Sequence, residues 1–131
     1  MRPIALFLLL ISSLFLKAQH KTTIALKVVE GPKLDGLLDD QVWANAPVAS
    51  DFILNQPAFG NPAAKKTSVK VLYDDAAIYV GAQLYDDPSR VRRQLTARDE
   101  HDRADADHFA VFLDTYKDQQ NGFQFLVTSR N

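Results

Sequence analysis

The run RDEHDRADADHFAVFLD, Arg98 to Asp114, gathers six acidic residues and two histidines around an apolar stretch, five of the acids lying before it. Those residue types can bind metal. A zinc site would need His101 and His108 to converge with a carboxylate, but His108 begins a strand and a loop separates it from His101. Oxygen ligands suit calcium better: Asp99, Asp102, Asp105 and Asp107 supply several carboxylates from one loop, which can wrap about six or more oxygens around a hard cation. The competing reading is a solvated acidic loop partly neutralised by Arg98 and Arg103, and the residues alone leave both open. A second acidic stretch, DTYKDQQNG from Asp114 to Gly122, lacks the spacing of a calcium-binding EF-hand and reads as a hairpin loop with Asn121-Gly122 at its turn.

Aromatic faces offer a different chemistry. In YVGAQLY, Tyr79, Gly81, Gln83 and Tyr85 fall on the face opposite Ile78, Val80, Ala82 and Leu84, and rings flanked by amide and hydroxyl groups are what a glycan groove requires. Tyr79, Gln83, Tyr85 and Arg98 are therefore the candidate sugar contacts, set against the alternative that this face packs under a second layer or is simply wet. Trp43 could stack on a pyranose, but its place beside Val42 in a short helical turn makes it a core residue. Glycoside hydrolysis needs two carboxylates facing across a groove; Glu30 and Glu100 are the only glutamates, and no serine sits in a nucleophile motif. No catalytic residues are assigned, and the chain reads as non-catalytic.

The amino terminus reads as an address. Arg2, the apolar stretch from Ile4 to Leu16 and Leu16-Lys17-Ala18 before Gln19 have the layout of a secretory signal peptide over residues 1–18, leaving residues 19–131 as one domain. The apolar stretch falls short of the roughly 20 residues needed to span a bilayer, so no membrane span is expected. Export places the chain in the periplasm, at the cell surface or in association with the outer membrane. The absence of cysteine excludes disulfide scaffolds and thiolate chemistry. Removing the leader takes away Arg2 and Lys17 and no acid, so basic against acidic residues move from 15 against 16 to 13 against 16. A mildly acidic chain is a poor partner for nucleic acid.

The elements that must hold these residues are strands. SVKVLYD (Ser68–Asp74) puts Val69, Val71 and Tyr73 on one face, and a DDAA turn joins it to IYVGAQLYD as a hairpin with Ile78, Val80, Ala82 and Leu84 inward. HFAVFLD (His108–Asp114) is apolar on both faces, and GFQFLVT (Gly122–Thr128) turns Phe123, Phe125 and Val127 inward to complete a second hairpin. TTIALKVV (Thr22–Val29) is the first strand, LDDQVWANA (Leu38–Ala46) one or two helical turns, and NQPAFGNPAAKK (Asn55–Lys66) a loop. About seven strands is usual for a sandwich, so these five predict an incomplete one, and the chain reads as a fragment with its C-terminal strands missing.

KLDGLLDDQVW, VKVLYDDAAIYVGAQLYDD, DADHFAVFLDTYKD and GFQFLVT, in that order, resemble the family 9 carbohydrate-binding modules, in the version found at the amino end of large exported proteins of Bacteroidetes-type bacteria. The resemblance implies an antiparallel β-sandwich of jelly-roll type with one short helical turn. It also implies structural calcium, a polysaccharide or oligosaccharide partner, a role in carbohydrate catabolism and further domains downstream. The positions matching the family's first clamp tryptophan, helping carboxylate and helping arginine fall near Ala104, at Ala110 and near Leu126. A structural or interaction module of the same fold, without its glycan site, is the alternative. Asp107 matches a residue that precedes the family's core strand and binds backbone amides there.

Overall fold

The computed structural model describes residues 21–95 and 105–129. The signal peptide expected over residues 1–18 lies outside them, as do Arg98, Asp99 and Asp102 of the candidate sites. Among the described residues the regular structure is five strands and one 3-10 turn: β1 (Leu26–Lys27), the turn Gln41–Trp43, β2 (Thr67–Tyr73), β3 (Ile78–Leu84), β4 (His108–Leu113) and β5 (Phe123–Thr128). The all-β reading holds. The strands form two sheets, β1-β2-β3 and β4-β5, as a partial β-sandwich requires. No helix of the described residues is long and apolar enough to cross a membrane. The chain divides into two compact units, residues 1–50 with 68–83 and residues 51–67 with 84–131.

In the first unit β1 pairs parallel to β2, Leu26 opposite Leu72 and Lys27 opposite Tyr73, so this sheet is mixed and not purely antiparallel. Residues 28–66 provide the long connection that a parallel pair needs. The expected strand Thr22–Val29 is reduced to its paired centre. One more bond, Val28 N to Tyr73 O at 2.9 Å, follows; beyond it β2 enters its turn and offers no further ladder to Val29. On the same edge, Ala49 and Val69 exchange backbone bonds of 2.8 and 2.9 Å.

Asp74 makes the β2–β3 turn. Its backbone N–H donates to Ala77 O at 3.0 Å while its Oδ1 accepts from Ala76 N and Ala77 N, each at 2.7 Å, a side chain completing a turn that the backbone alone would leave underbonded. At the far end of the hairpin Tyr85 N donates to Lys66 O at 2.9 Å. The two backbone bonds agree on one uninterrupted antiparallel register. It sets Leu72 opposite Tyr79, Lys70 opposite Gly81, and Lys66 opposite Tyr85.

The core cluster lies on the face of this hairpin opposite to the one expected, although Val69, expected inward, is itself buried. Trp43 is 4% exposed, Ala46 is buried beside it, and Leu72, not Val71 or Tyr73, is the fully buried residue of β2. On β3 the core side carries Tyr79 and Gly81, whereas Ile78, Val80 and Leu84 are exposed. The reason is the width of an indole. A β-carbon added at Gly81 would meet Leu38 Cδ2 at 2.7 Å and Trp43 ring carbons at 3.0 and 3.1 Å, so the ring lies flat over a position without a side chain. Only the face carrying that glycine accepts the tryptophan. Lys70, opposite Gly81, then donates from Nζ to Trp43 O at 2.7 Å and closes the last turn of the 3-10 segment.

In the second unit β4 and β5 pair antiparallel from His108–Thr128 to Leu113–Phe123. Paired positions share a face, so Phe109, Val111, Leu113, Phe123, Phe125 and Val127 form one apolar surface. Phe123, Phe125 and Val127, expected inward, are 52%, 59% and 54% exposed, because a two-stranded ribbon by itself cannot cover its own face. Residues 55–66 form no strand. A bridge between Ile53 and Pro62 closes the base of this loop, and Leu54 N donates to Asn61 O within it.

A methyl group at position 81 tests this packing. Gly81→Ala must displace Trp43 or Leu38, and overpacking of this kind costs about 1–3 kcal/mol; thermal unfolding of the full chain should show a clearly lowered midpoint, while Ala82→Gly, one position along on the other face, should cost less.

Candidate functional site

Tyr79 and Tyr85, two residues of the candidate sugar face, have different surroundings. Tyr79 is half-buried, its ring against the Gly31 backbone, and its hydroxyl donates to Asp74 Oδ2 at 2.8 Å. Asp74 thus accepts from two backbone amides and a phenol, and these bonds, Ala76 N first and Tyr79 next, hold its carboxyl below the usual range. The same hydrogen bond raises the Tyr79 phenol by favouring its protonated form. Tyr79 therefore braces the turn and the core. Gln83 is exposed.

Tyr85 is 50% exposed and follows directly on β3. Across the ladder from it, Lys66 holds its ammonium 5.5 Å from the centre of the Tyr85 ring, within the range of a cation–π contact. One position further, Lys65 Nζ hydrogen-bonds and ion-pairs with Asp86 Oδ2 on the opposite face of the same ribbon, and this bond lowers the Asp86 carboxyl. The sequence pattern places Lys66 at the end of a loop. Its role could have been found by counting outward from the DDAA turn in register, which lands on Lys66 opposite Tyr85.

The acidic run is only partly described. Ala106 bridges to Arg93, and Asp107 N donates to Arg92 O at 3.0 Å. Asp107 Oδ2 accepts from Arg92 N at 3.0 Å, as the resemblance implied for a residue binding backbone amide there. Asp105 Oδ1 accepts from Arg92 Nη1 at 2.7 Å, and Asp107 Oδ1 lies 3.4 Å from Arg92 Nε. The guanidinium is held in its charged form first by the bond to Asp105 and then by the fields of Asp105 and Asp107. Ser129 completes the clasp, its N–H on Asp107 O at 2.9 Å and its hydroxyl on Arg92 O.

Asp105 and Asp107, offered as calcium ligands, are thus drawn together around Arg92, whose place a cation would have to take. Among the described residues no group of three acidic or histidine side chains could hold a metal ion, and Asp99 and Asp102, the other two expected ligands, lie outside them. In the β4–β5 loop the turn is not at Asn121-Gly122; Lys117 and Gln119 adopt the left-handed conformation. Asp114 accepts from Gln119 N at 2.9 Å, and Asp118 from Gln120 N and Asn121 N at 2.9 Å each. Carboxylates that close the loop on its own amides can hold residues without a glycine in this conformation. Both are lowered by those bonds, to Gln119 N for Asp114 and to Asn121 N for Asp118.

A family model described as carbohydrate family 9 binding domain-like matches residues 34–128. The match spans the 3-10 turn, both hairpins and all but the first strand. Comparison with curated proteins and with solved structures gives no match.

The lowered carboxyls of Asp74, Asp114 and Asp118 set a direction for acid stability. A folded-state value below the unfolded one contributes stability that is complete above about pH 4 and is lost as pH falls through the folded value. Melting midpoints should fall from pH 5 towards pH 2, and Asp74→Ala should lower the midpoint at pH 7 while flattening that fall; an unchanged slope would contradict the assignment.

Proposed function

The chain belongs to the carbohydrate family 9 binding domain-like family, and on that premise we propose that it is a non-catalytic carbohydrate-binding module of an exported protein engaged in carbohydrate catabolism. The observation that carries this reading is the match over residues 34–128, which covers both hairpins of an all-β architecture. An exposed ring at Tyr85 supplies a stacking surface, since the apolar face of a pyranose lies on an aromatic ring while its hydroxyls bond to neighbouring polar groups such as Gln83. Of the other candidates, Arg98 remains assigned to the sugar site and Tyr79 does not, because its ring and hydroxyl are already engaged.

Affinity electrophoresis of the full chain through gels containing neutral and acidic plant and microbial polysaccharides tests the proposal. Retardation by at least one polymer is expected. Tyr85→Ala should weaken it about tenfold, the equivalent of about 1.4 kcal/mol of lost stacking, while Tyr79→Phe, which keeps the packed ring and removes only the bond to Asp74, should bind as the parent does. A chain indifferent to every polymer would instead be the structural or interaction module of this fold.

A further inference from the structure

The hairpin register places two lysines on opposite faces of one ribbon, and their surroundings differ. Lys65 is neutralised by Asp86. Asp87, the next acid along, takes Ser89 N and Ser89 Oγ and lies near Arg90. Lys66 faces the Tyr85 ring, and no carboxylate within ion-pair distance of it is found among the described residues. In an acidic chain, a cation whose partner among the described residues is a ring quadrupole can be taken over by an arriving anion at small cost. Backbone pairing fixes the two residues opposite one another, through Tyr85 N on Lys66 O.

We propose that Lys66 and Tyr85 form a subsite for an acidic sugar, a uronic-acid residue of a polysaccharide. The pyranose stacks on the Tyr85 ring, and the carboxylate at its C6 accepts a charge-assisted hydrogen bond from the Lys66 ammonium. A neutral hexose has a hydroxymethyl group there and gains only the stacking. The assignment rests on the glycan-binding reading above and narrows it to a substrate class.

The experiment compares full-chain affinity for polygalacturonate and glucuronoxylan with that for a neutral xylan and for dextran sulfate. The parent should prefer the uronate polymers over neutral xylan. Lys66→Gln should lower uronate affinity about three- to fivefold, as befits an exposed ion pair, leave neutral xylan within twofold, and remove the preference. Lys65→Gln, equal in charge change but on the other face, should retain it. Neutral binding with no uronate preference, or a preference that survives Lys66→Gln, overturns the subsite and leaves the glycan reading standing. Dextran sulfate bound as tightly as the uronates would make Lys66 a general anion contact and also overturns it; no binding to any polymer overturns both readings.

Discussion

Trp43 needs a flat surface, and Gly81 is where the β2–β3 hairpin provides one. With the indole over Gly81, Leu72 and Tyr79 must lie on the same side of the sheet, and Leu72 becomes the fully buried residue while Ile78 and Val80 face out. The 3-10 turn is held to this face through Lys70, whose charged end reaches the Trp43 carbonyl while its stem lies along the core side. Fully burying a large apolar side chain contributes about 1.5–3 kcal/mol, so a core with few buried residues depends strongly on one well-seated ring.

Orientation of the face then decides what the same strand can offer elsewhere. Side chains alternate along β3, so seating Gly81 inward also turns Tyr79 inward, where its hydroxyl finds Asp74. Alternation continues to Tyr85, but there the ring is exposed and meets Lys66 in place of an indole. One periodic pattern thus yields a structural tyrosine and a surface tyrosine. Their difference lies in what stands opposite and above them.

Aspartates do much of the local organisation. Asp74, Asp114 and Asp118 close turns by accepting from amides that no strand partner reaches, and Asp105 with Asp107 gathers Arg92 so that Arg93, Ala106 and Ser129 align beside β4 and β5. In a chain without disulfides these side-chain-to-backbone bonds fix the loops. Acidic residues in such numbers look like metal ligands when read as a list. In space, the described ones mostly serve the backbone.

The sequence by itself determined the element types, because period-2 alternation and turn-forming residues are local and survive without knowledge of partners: both hairpins, the helical turn at Trp43, its burial and the family resemblance were all legible. Asp107's bond to backbone amide was legible too, through that resemblance. Three things required the tertiary structure. Which face of a strand is inward depends on the group that lies on it, and alternating apolar residues mark two faces without ranking them, so Ile78, Val80, Phe123, Phe125 and Val127 were assigned inward and stand exposed. The parallel course of β1 was set by a long connection that no local pattern encodes. Finally, the neighbours of Lys66 and of Asp105 lie many residues away along the chain, and charge or aromatic character acquires a role only from what folding brings within a few ångströms of it.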